Sequence, residues 1–157
     1  MATGGYINNG VRIGYSASSP VSWTRIGQVA VAPTFGIERD KVDSTVHGTS
    51  IFKRSMPGMA EVPLGEMVLI ADLNPSTTPT HDAMRSAVLA GTTYWFRIEF
   101  PVDRSQSQFR AVEFQAYVRT WMVNGESPEE RQEIQCALEF DSDYEPSWKP
   151  VGAAAVS

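Results

Sequence analysis

Two long runs of alternating apolar and polar residues, separated by a turn sequence, constrain the fold most strongly. The first run, residues 109–123, sets Val112, Phe114, Ala116, Val118 and Met122 against Glu113, Gln115, Tyr117 and Arg119. After the turn at 124–128, residues 131–140 set Ile134, Cys136, Leu138 and Phe140 against Glu133, Gln135 and Glu139. Alternation with a period of two is typical of strands that bury one face. The sequence therefore predicts an antiparallel strand pair whose outer face is polar and mostly acidic.

Shorter patterns in the rest of the chain predict further strands. Residues 35–42, 66–73 and 93–100 alternate between apolar and polar side chains, and residues 23–26 and 29–31 are short apolar runs. Each run has the length and composition of a strand, and turn residues separate them. No internal repeat is visible in the sequence.

One helix is predicted between the strands at 66–73 and 93–100. Thr80 is a suitable N-cap, Asp82 follows in the first turn, where a negative charge is favourable, and Gly91 ends the helix. Three residues at helical spacing form its apolar face: Met84, Val88 and Leu89. The predicted fold class is therefore mainly β, a sandwich or barrel of antiparallel strands with one α-helix.

Length and composition predict one domain covering residues 1–157. With 42% hydrophobic residues the chain can build a single core. Residues 1–22 are rich in Gly, Ser and Asn and are predicted to form an N-terminal arm, and residues 141–157, which contain prolines and end in small side chains, a C-terminal arm. No segment approaches the roughly 20 apolar residues of a membrane-spanning helix, and no secretory signal is recognisable, so no membrane partner is expected.

Charge is distributed unevenly along the chain. The formal net charge is −5, which argues against a protein that binds nucleic acid through its phosphates. Residues 111–145 contain nine acids and two bases, whereas the remainder of the chain carries a small positive excess. This asymmetry suits head-to-tail stacking of copies, in which an acidic face meets a basic one. An ordinary mixed surface is the alternative interpretation.

Residues 43–61 form a long polar segment around Met56-Pro57-Gly58-Met59. Ordering a loop of this length costs conformational entropy and buries little surface, so such loops are usually functional or held by a partner. Because no catalytic residues accompany it, we predict an assembly element. The predicted inter-subunit contacts are Thr45, His47, Lys53, Arg54 and Met56.

The sequence offers no recognisable set of residues for catalysis, a cofactor or a metal. His47 and His81 lack neighbours at ligand spacing, and His81 beside Asp82 is interpreted as a surface pair. The only cysteine, Cys136, falls on the apolar side of a predicted strand, where cysteine usually acts as a small buried hydrophobe, and it excludes an internal disulfide framework. We therefore expect a protein that is not an enzyme and has no cofactor.

Two groups of residues leave binding alternatives open. Three acids on the predicted strand pair could act as paired carboxylates in glycoside hydrolysis, although evenly alternating acids more often form a solvated face: Glu113, Glu133 and Glu139. Four tryptophans could build a sugar-binding platform or serve as core and interface anchors: Trp23, Trp95, Trp121 and Trp148. A β-sandwich carbohydrate-binding module is therefore the alternative function from a different class.

Several local features occur in a particular order along the chain. They are Trp23-Thr24-Arg25-Ile26-Gly27-Gln28-Val29, Asp43-Ser44-Thr45-Val46-His47, Met56-Pro57-Gly58-Met59, Leu73-Asn74-Pro75, the helix at 81–89, and Tyr94-Trp95-Phe96-Arg97-Ile98 with Pro101 behind it. In order and spacing, roughly residues 21–141 resemble the major tail tube proteins of long-tailed bacteriophages.

The resemblance implies a small β-sandwich or barrel flanked by one helix. It also implies that six copies form a ring and that rings stack head to tail into a hollow virion tail tube through which DNA is ejected. The implied partners are copies of the chain itself and the tape measure, terminator and baseplate proteins, with synthesis in the bacterial host cytoplasm. Tail terminators and baseplate tube proteins share the fold, so they remain alternatives.

A lumen that passes DNA without retaining it should be acidic or neutral, because bound phosphate would slow the DNA. The polar face of the late strand pair meets this requirement. The candidate lumen-facing residues are Glu113, Gln115, Glu133, Gln135 and Glu139.

Overall fold

A computed structural model describes residues 10–17, 20–44, 52–124 and 132–156. Its strands are β1 (Arg12–Ser16), β2 (Thr24–Arg25), β3 (Val29–Val31), β4 (Glu38–Asp43), β5 (Ser55–Glu61), β6 (Glu66–Ile70), β7 (Tyr94–Pro101), β8 (Phe109–Val118), β9 (Met122–Asn124), β10 (Glu133–Phe140) and β11 (Ser147–Trp148). The helix α1 (Pro79–Ala90) lies between β6 and β7. The predicted fold class, mainly antiparallel β with one helix, is confirmed for the described residues.

Nine of these strands belong to one antiparallel sheet. Its order is β2-β1-β7-β8-β10-β6-β3, while β9 extends the pairing along β10 and β11 extends it along β8. The predicted pairing of the two long late strands is confirmed, because Leu138 lies opposite Val118 and Phe140 opposite Ala116. The strands β4 and β5 pair only with each other and form a separate ribbon, the β4–β5 hairpin.

The large sheet curls on itself. Its two edge strands, β2 and β3, are separated by only residues 26–28 along the chain, although they lie at opposite ends of the strand order. Since a chain spans at most about 3.5 Å per residue, the two edges lie within roughly 15 Å of each other. Gln28 makes the connection with a positive φ of 53°, and its carbonyl accepts a hydrogen bond from the backbone N–H of Ile70 at 2.8 Å.

The hydrophobic core lies on the inner face of this curled sheet. Phe96 on β7 and Phe114 on β8 stack there with ring centroids 6.0 Å apart, and α1 adds Met84 and Ala87. Burying an aromatic side chain of this size contributes about 1.5–3 kcal/mol. The predicted apolar faces of β8 and β10 are confirmed as core: Val112, Phe114, Ala116, Val118, Ile134, Cys136 and Leu138 are all buried.

The N-cap of the helix lies two residues before Thr80, the predicted N-cap. Thr78, not Thr80, occupies the N-cap position, and Pro79 opens the helix, where its missing N–H costs nothing. Thr80 instead lies inside the helix, and its hydroxyl accepts a hydrogen bond from the backbone N–H of Gly27 at 3.3 Å. The predicted stop is confirmed, because Gly91 has a φ of 64° in the left-handed region.

Three residues predicted on apolar faces are exposed. Leu89 lies off the helical stripe that includes Met84 and Ala87, and Leu73 follows the end of β6. Met122 is exposed because an extra residue precedes it: Val118 lies opposite Leu138, but Met122 lies opposite Gln135, so four residues face three. This bulge turns Met122 to the outer face.

The predicted N-terminal arm is wrong for the residues described within it. Residues 12–16 form β1, which lies between β2 and β7, with Ile13 opposite Ile98 and in the core. Residues 12–16 show little apolar alternation in the sequence because β1 contains Gly14. This glycine has no side chain and leaves room for Val156 from the C-terminal segment. Residues 1–9 lie outside the described residues.

The C-terminal segment is also not an arm in this subunit, because residues 147–152 pair along the edge of β8 and residues 155–156 contact β1 and β7. Ser147 lies opposite Glu113, and the backbone N–H of Lys149 bonds the carbonyl of Ala111 at 2.8 Å. Near the end, Val156 is completely buried, and its carbonyl accepts a hydrogen bond from Arg12 at 3.1 Å. We name residues 147–156 the C-terminal strap.

The close contact between β1 and the strap gives a first prediction. A methyl group on Gly14 would lie 2.9 Å and 3.0 Å from the two γ-carbons of Val156 and 3.2 Å from the carbonyl oxygen of Thr24. Gly14→Ala should therefore lower the free energy of unfolding by about 1–3 kcal/mol in urea titrations. Gly152→Ala is the matched control, because its nearest neighbour, the Pro150 carbonyl oxygen, is 4.0 Å away. Equal stability of the two variants would contradict this packing.

Candidate functional site

The predicted assembly loop contains a strand. Most of its described part is β5, which pairs with β4 from Glu38 opposite Glu61 to Asp43 opposite Ser55. A hydrogen bond from the Arg39 guanidinium to the Gly58 carbonyl, 2.7 Å long, ties the two strands together. Apolar and polar residues alternate poorly in β4 and β5 because neither face of this ribbon packs on the core. Burial on one face, which would require such alternation, is missing here.

Nearly every described side chain of the β4–β5 hairpin is exposed in the subunit. Met59 is 78% exposed, and Val42 and Met56 are also largely open to solvent. An isolated two-stranded ribbon is marginally stable in water, and exposed apolar side chains of this kind mark contact surfaces. The hairpin therefore has the character of an element that a second molecule covers.

The predicted contact residues divide into two groups. Lys53, Arg54 and Met56 lie in or beside the hairpin and are exposed, as a contact role requires. Thr45 and His47 lie outside the described residues.

The second candidate surface is the outer face of β6, β10 and the far half of β8. Glu139 is exposed, and Gln115, Glu133 and Gln135 are partly exposed, while their strand neighbours point into the core. Cross-strand pairing of Ala137 with Glu66 brings a further exposed acid to this face. The outward position of Glu66 in its strand was readable from the sequence, but the pairing of β6 with β10 was not.

Glu113 does not belong to this open face, and its prediction as a solvent-facing acid is wrong. It is only 5% exposed, because the C-terminal strap pairs alongside the half of β8 that carries it and Arg97 lies opposite it on β7. Its carboxylate forms an ion pair with Arg97, and Lys149 Nζ lies 3.6 Å from its second oxygen. Glu113 is thus a structural residue of the subunit.

Glu99 completes a buried ionic cluster beneath the strap. It is completely buried, and Arg97 Nε donates to its Oε2 at 2.9 Å. The backbone N–H groups of Ala155 and Val156 also donate to this carboxylate, at 2.8 Å and 3.2 Å. The Glu99 carboxylate thus accepts from three donors, one on Arg97 and two on the backbone. Such hydrogen bonding is the condition for burying a charge without a large penalty. The cluster holds the strap against the sheet.

Cys136 and His81, whose residue types are often used in catalysis, are both buried in the subunit. Burial raises the pKa of the Cys136 thiol to about 12, so it stays protonated and unreactive near neutral pH, as predicted for a buried hydrophobe. His81 is buried, not paired at the surface as expected, because it lies on the inner side of α1. One of its ring nitrogens, Nε2, bonds the Ile70 carbonyl oxygen at 2.8 Å.

Neither a metal site nor a membrane helix is found in the part of the chain that the structure describes. Within it, no three His, Cys, Asp or Glu side chains are grouped as ligands. Among the same residues, no helix has the length and apolar character needed to cross a bilayer.

The comparisons with known proteins find the fold among solved structures. No protein-family model matches the chain, and no curated protein matches it. A chain from the tail of an empty gene transfer agent particle, refined helically with C6 symmetry, superposes with a TM-score of 0.67 at 10% identity, covering 93% of this chain and 100% of that one.

Two further solved structures superpose on this chain. A chain of the six-fold symmetrised anti-feeding prophage baseplate gives a TM-score of 0.61 at 11% identity and covers 95% of this chain and 97% of its own. The SPP1 tail tube gives 0.58 at 16% identity, covering 83% of this chain and 72% of its own. The chain therefore shares its fold with subunits of tail and baseplate assemblies, as the sequence resemblance implied.

Proposed function

We propose that the protein is a structural subunit of a phage tail tube, in which six copies form a ring and rings stack head to tail into a conduit for DNA ejection. The observation that carries this proposal is the exposed β4–β5 hairpin, an apolar and charged ribbon that the subunit itself leaves uncovered. The fold shared with tail and baseplate subunits supports the same role. In this role the protein is not an enzyme and needs no cofactor.

The proposed location is the virion tail, after synthesis in the bacterial host cytoplasm. The proposed partners are other copies of the chain, together with tape measure, terminator and baseplate proteins. Thr45, His47, Lys53, Arg54 and Met56 are proposed to contact neighbouring subunits. A curled sheet with two open edges supports such assembly, because edge strands are natural sites for pairing between copies.

We further propose that the open face of β6, β10 and β8 lines the lumen. Its candidate residues are Gln115, Glu133, Gln135 and Glu139, joined by Glu66. Among these acids, Glu139 has the base Arg119 at 3.9 Å, and both side chains are exposed. Repeated around a ring, such a face would repel phosphate.

Sedimentation velocity of the purified protein tests the proposal. We expect assemblies much larger than the 17.3 kDa chain at micromolar concentration. A tube subunit should continue to stack, whereas a terminator or baseplate protein should stop at a single ring. A species that remains monomeric at every salt concentration would reject the assembly role.

The lumen assignment predicts that charge reversal changes DNA retention. Glu133→Lys combined with Glu139→Lys should leave the subunit folded, because both side chains point away from the core. Tubes of this variant assembled with short double-stranded DNA should retain fragments that resist nuclease, whereas wild-type tubes should not. Asp82→Lys on the helix is the control, and any DNA it attracts should remain nuclease-sensitive. Nuclease-sensitive DNA on the double variant would contradict a lumenal position.

The carbohydrate-binding alternative requires an exposed aromatic platform. Trp148 is the most exposed of the four tryptophans, but its ring already packs within the subunit. Phe100 stacks on it with ring centroids 6.2 Å apart, and the Arg110 guanidinium lies 5.7 Å from its ring centre. These contacts favour the other interpretation of the tryptophan, an anchor that fixes the C-terminal strap.

A further inference from the structure

A groove of about 860 Å³ lies between the base of the β4–β5 hairpin and residues 142–148. These residues leave the sheet between β10 and β11 and form one wall. The apolar part of the groove comes from Ile37, Tyr144 and Trp148, of which Ile37 is 65% and Tyr144 is 75% exposed. Apolar surface of this kind, rimmed by charge, is typical of a protein-binding site.

The rim of this groove is acidic. Glu61, Asp143 and Glu145 line it, and within the described residues none of the three takes part in an ion pair. Arg39 also lines the groove, but its guanidinium is held along the hairpin by the Gly58 carbonyl. The groove therefore presents carboxylates around an apolar floor.

The far end of the hairpin has the opposite character. Its described residues include three bases, Lys41, Lys53 and Arg54, and one acid, Asp43. Beside them Phe52 is 73% exposed. We name this end, residues 41–44 and 52–56, the hairpin tip. It combines positive charge with an apolar side chain, which is the complement of the groove.

A hairpin tip cannot reach the groove of its own subunit. Pairing runs from Glu38 opposite Glu61 at the base to Asp43 opposite Ser55 at the tip. At about 3.3 Å per residue the end of the tip lies roughly 17 Å along the ribbon from the base, beyond a bulge between Arg39 and Lys41. Contact between the complementary surfaces is therefore expected between different copies.

We infer that the hairpin tip of one copy docks into the groove at the hairpin base of a second copy. This inference rests on the proposed function, since it names the surface that receives the assembly hairpin. Tip and groove are different surfaces of the chain, so the contact is heterologous and propagates from copy to copy until it closes in a ring or extends along a stack.

A pair of charge-reversed variants tests the contact. The acid-reversed variant carries Asp143→Lys and Glu145→Lys, and the base-reversed variant carries Lys41→Glu and Lys53→Glu. In each, tip and groove have the same sign, so the concentration for half-assembly should rise about tenfold or more. Both variants should keep wild-type circular dichroism, because the four side chains are exposed.

Mixing the two variants gives the decisive result. In an equimolar mixture every basic tip finds an acidic groove and every acidic tip finds a basic one, provided that the two variants alternate. Assembly should therefore return in the mixture, and also in a single chain carrying all four substitutions. As a control, the base reversal combined with Glu66→Lys and Asp82→Lys has the same net charge as that chain and should not assemble.

The outcomes separate this inference from the proposed function. If the wild type assembles and both reversed variants assemble equally well, or if neither the mixture nor the four-substitution chain recovers, the tip-to-groove contact is wrong while the tube role stands. If the wild type itself stays monomeric, both fail.

Discussion

A variant in which residues 44–54 are replaced by Asn-Gly will fold and remain a monomer at concentrations where the wild-type chain assembles. Asp43 and Ser55 lie opposite each other, and Asn-Gly is the favoured two-residue turn for joining paired antiparallel strands. The described residues of the hairpin contribute nothing to the buried core, so its shortening should leave the midpoint of unfolding nearly unchanged. What the variant loses of the hairpin tip is Phe52, Lys53 and Arg54, which leaves Lys41 and Asp43 with no net charge.

A matched control keeps the hairpin length and the tip bases. Replacing only residues 45–51 with Gly and Ser retains Lys53 and Arg54 but removes Thr45 and His47, and it should weaken assembly less than the shortening does. Sedimentation velocity on both variants separates these roles. Normal tubes from the shortened variant would show that the hairpin is not an assembly element.

The second large effect is expected at the buried ionic cluster. Glu99→Ala should lower the free energy of unfolding by about 3–5 kcal/mol, since removing one partner leaves the other buried groups uncompensated. Arg97 would lose one of its two carboxylates, and the backbone N–H groups of Ala155 and Val156 would lose their acceptor. Urea denaturation measures this loss.

Glu139→Ala is the control for Glu99→Ala. Both side chains point to the outer face of the sheet, but Glu139 is exposed and its ion pair with Arg119 is long, so the change should cost no more than about 0.5 kcal/mol. If the two variants unfold at the same denaturant concentration, the strap is not held by the cluster. Protease cleavage near the C-terminus of the Glu99 variant would give an independent reading of strap release.

The parts of the fold that were predictable are those in which one face of a strand meets the core. The alternation in β8 and β10 identified both the pairing and the buried side chains, because burial on one face imposes a period of two. The prediction failed at Met122, where a single extra residue reverses the faces. A bulge of this kind leaves no compositional signal.

The remaining errors arise where distant segments cover or replace a surface. Glu113 has the sequence context of a solvated acid, but the C-terminal strap alongside β8 and Arg97 on β7 enclose it. In the same way β1 is read as a flexible arm, because Gly14 accommodates Val156 from the other end of the chain. Local patterns cannot carry contacts between segments that are distant along the chain, such as Gly14 and Val156.

The candidate site at residues 43–61 was chosen from the sequence, and its assembly role stays a prediction. Its length and its lack of catalytic residues suggested that role, whereas its strand pairing and the neighbouring groove required coordinates. The acidic face was identified in part, since Glu133 and Glu139 remain on it, and Glu66 joins it from a strand whose partner the sequence did not reveal.

Electron cryo-microscopy of the assembled protein would show the ring, the lumen and the hairpin in one measurement. We expect stacked six-membered rings around a hollow lumen, with the β4–β5 hairpin buried between subunits and the face of Glu133 and Glu139 lining the channel. Particles that lack a continuous lumen, or tubes in which the hairpin stays exposed to solvent and these carboxylates lie on the outer wall, would contradict it.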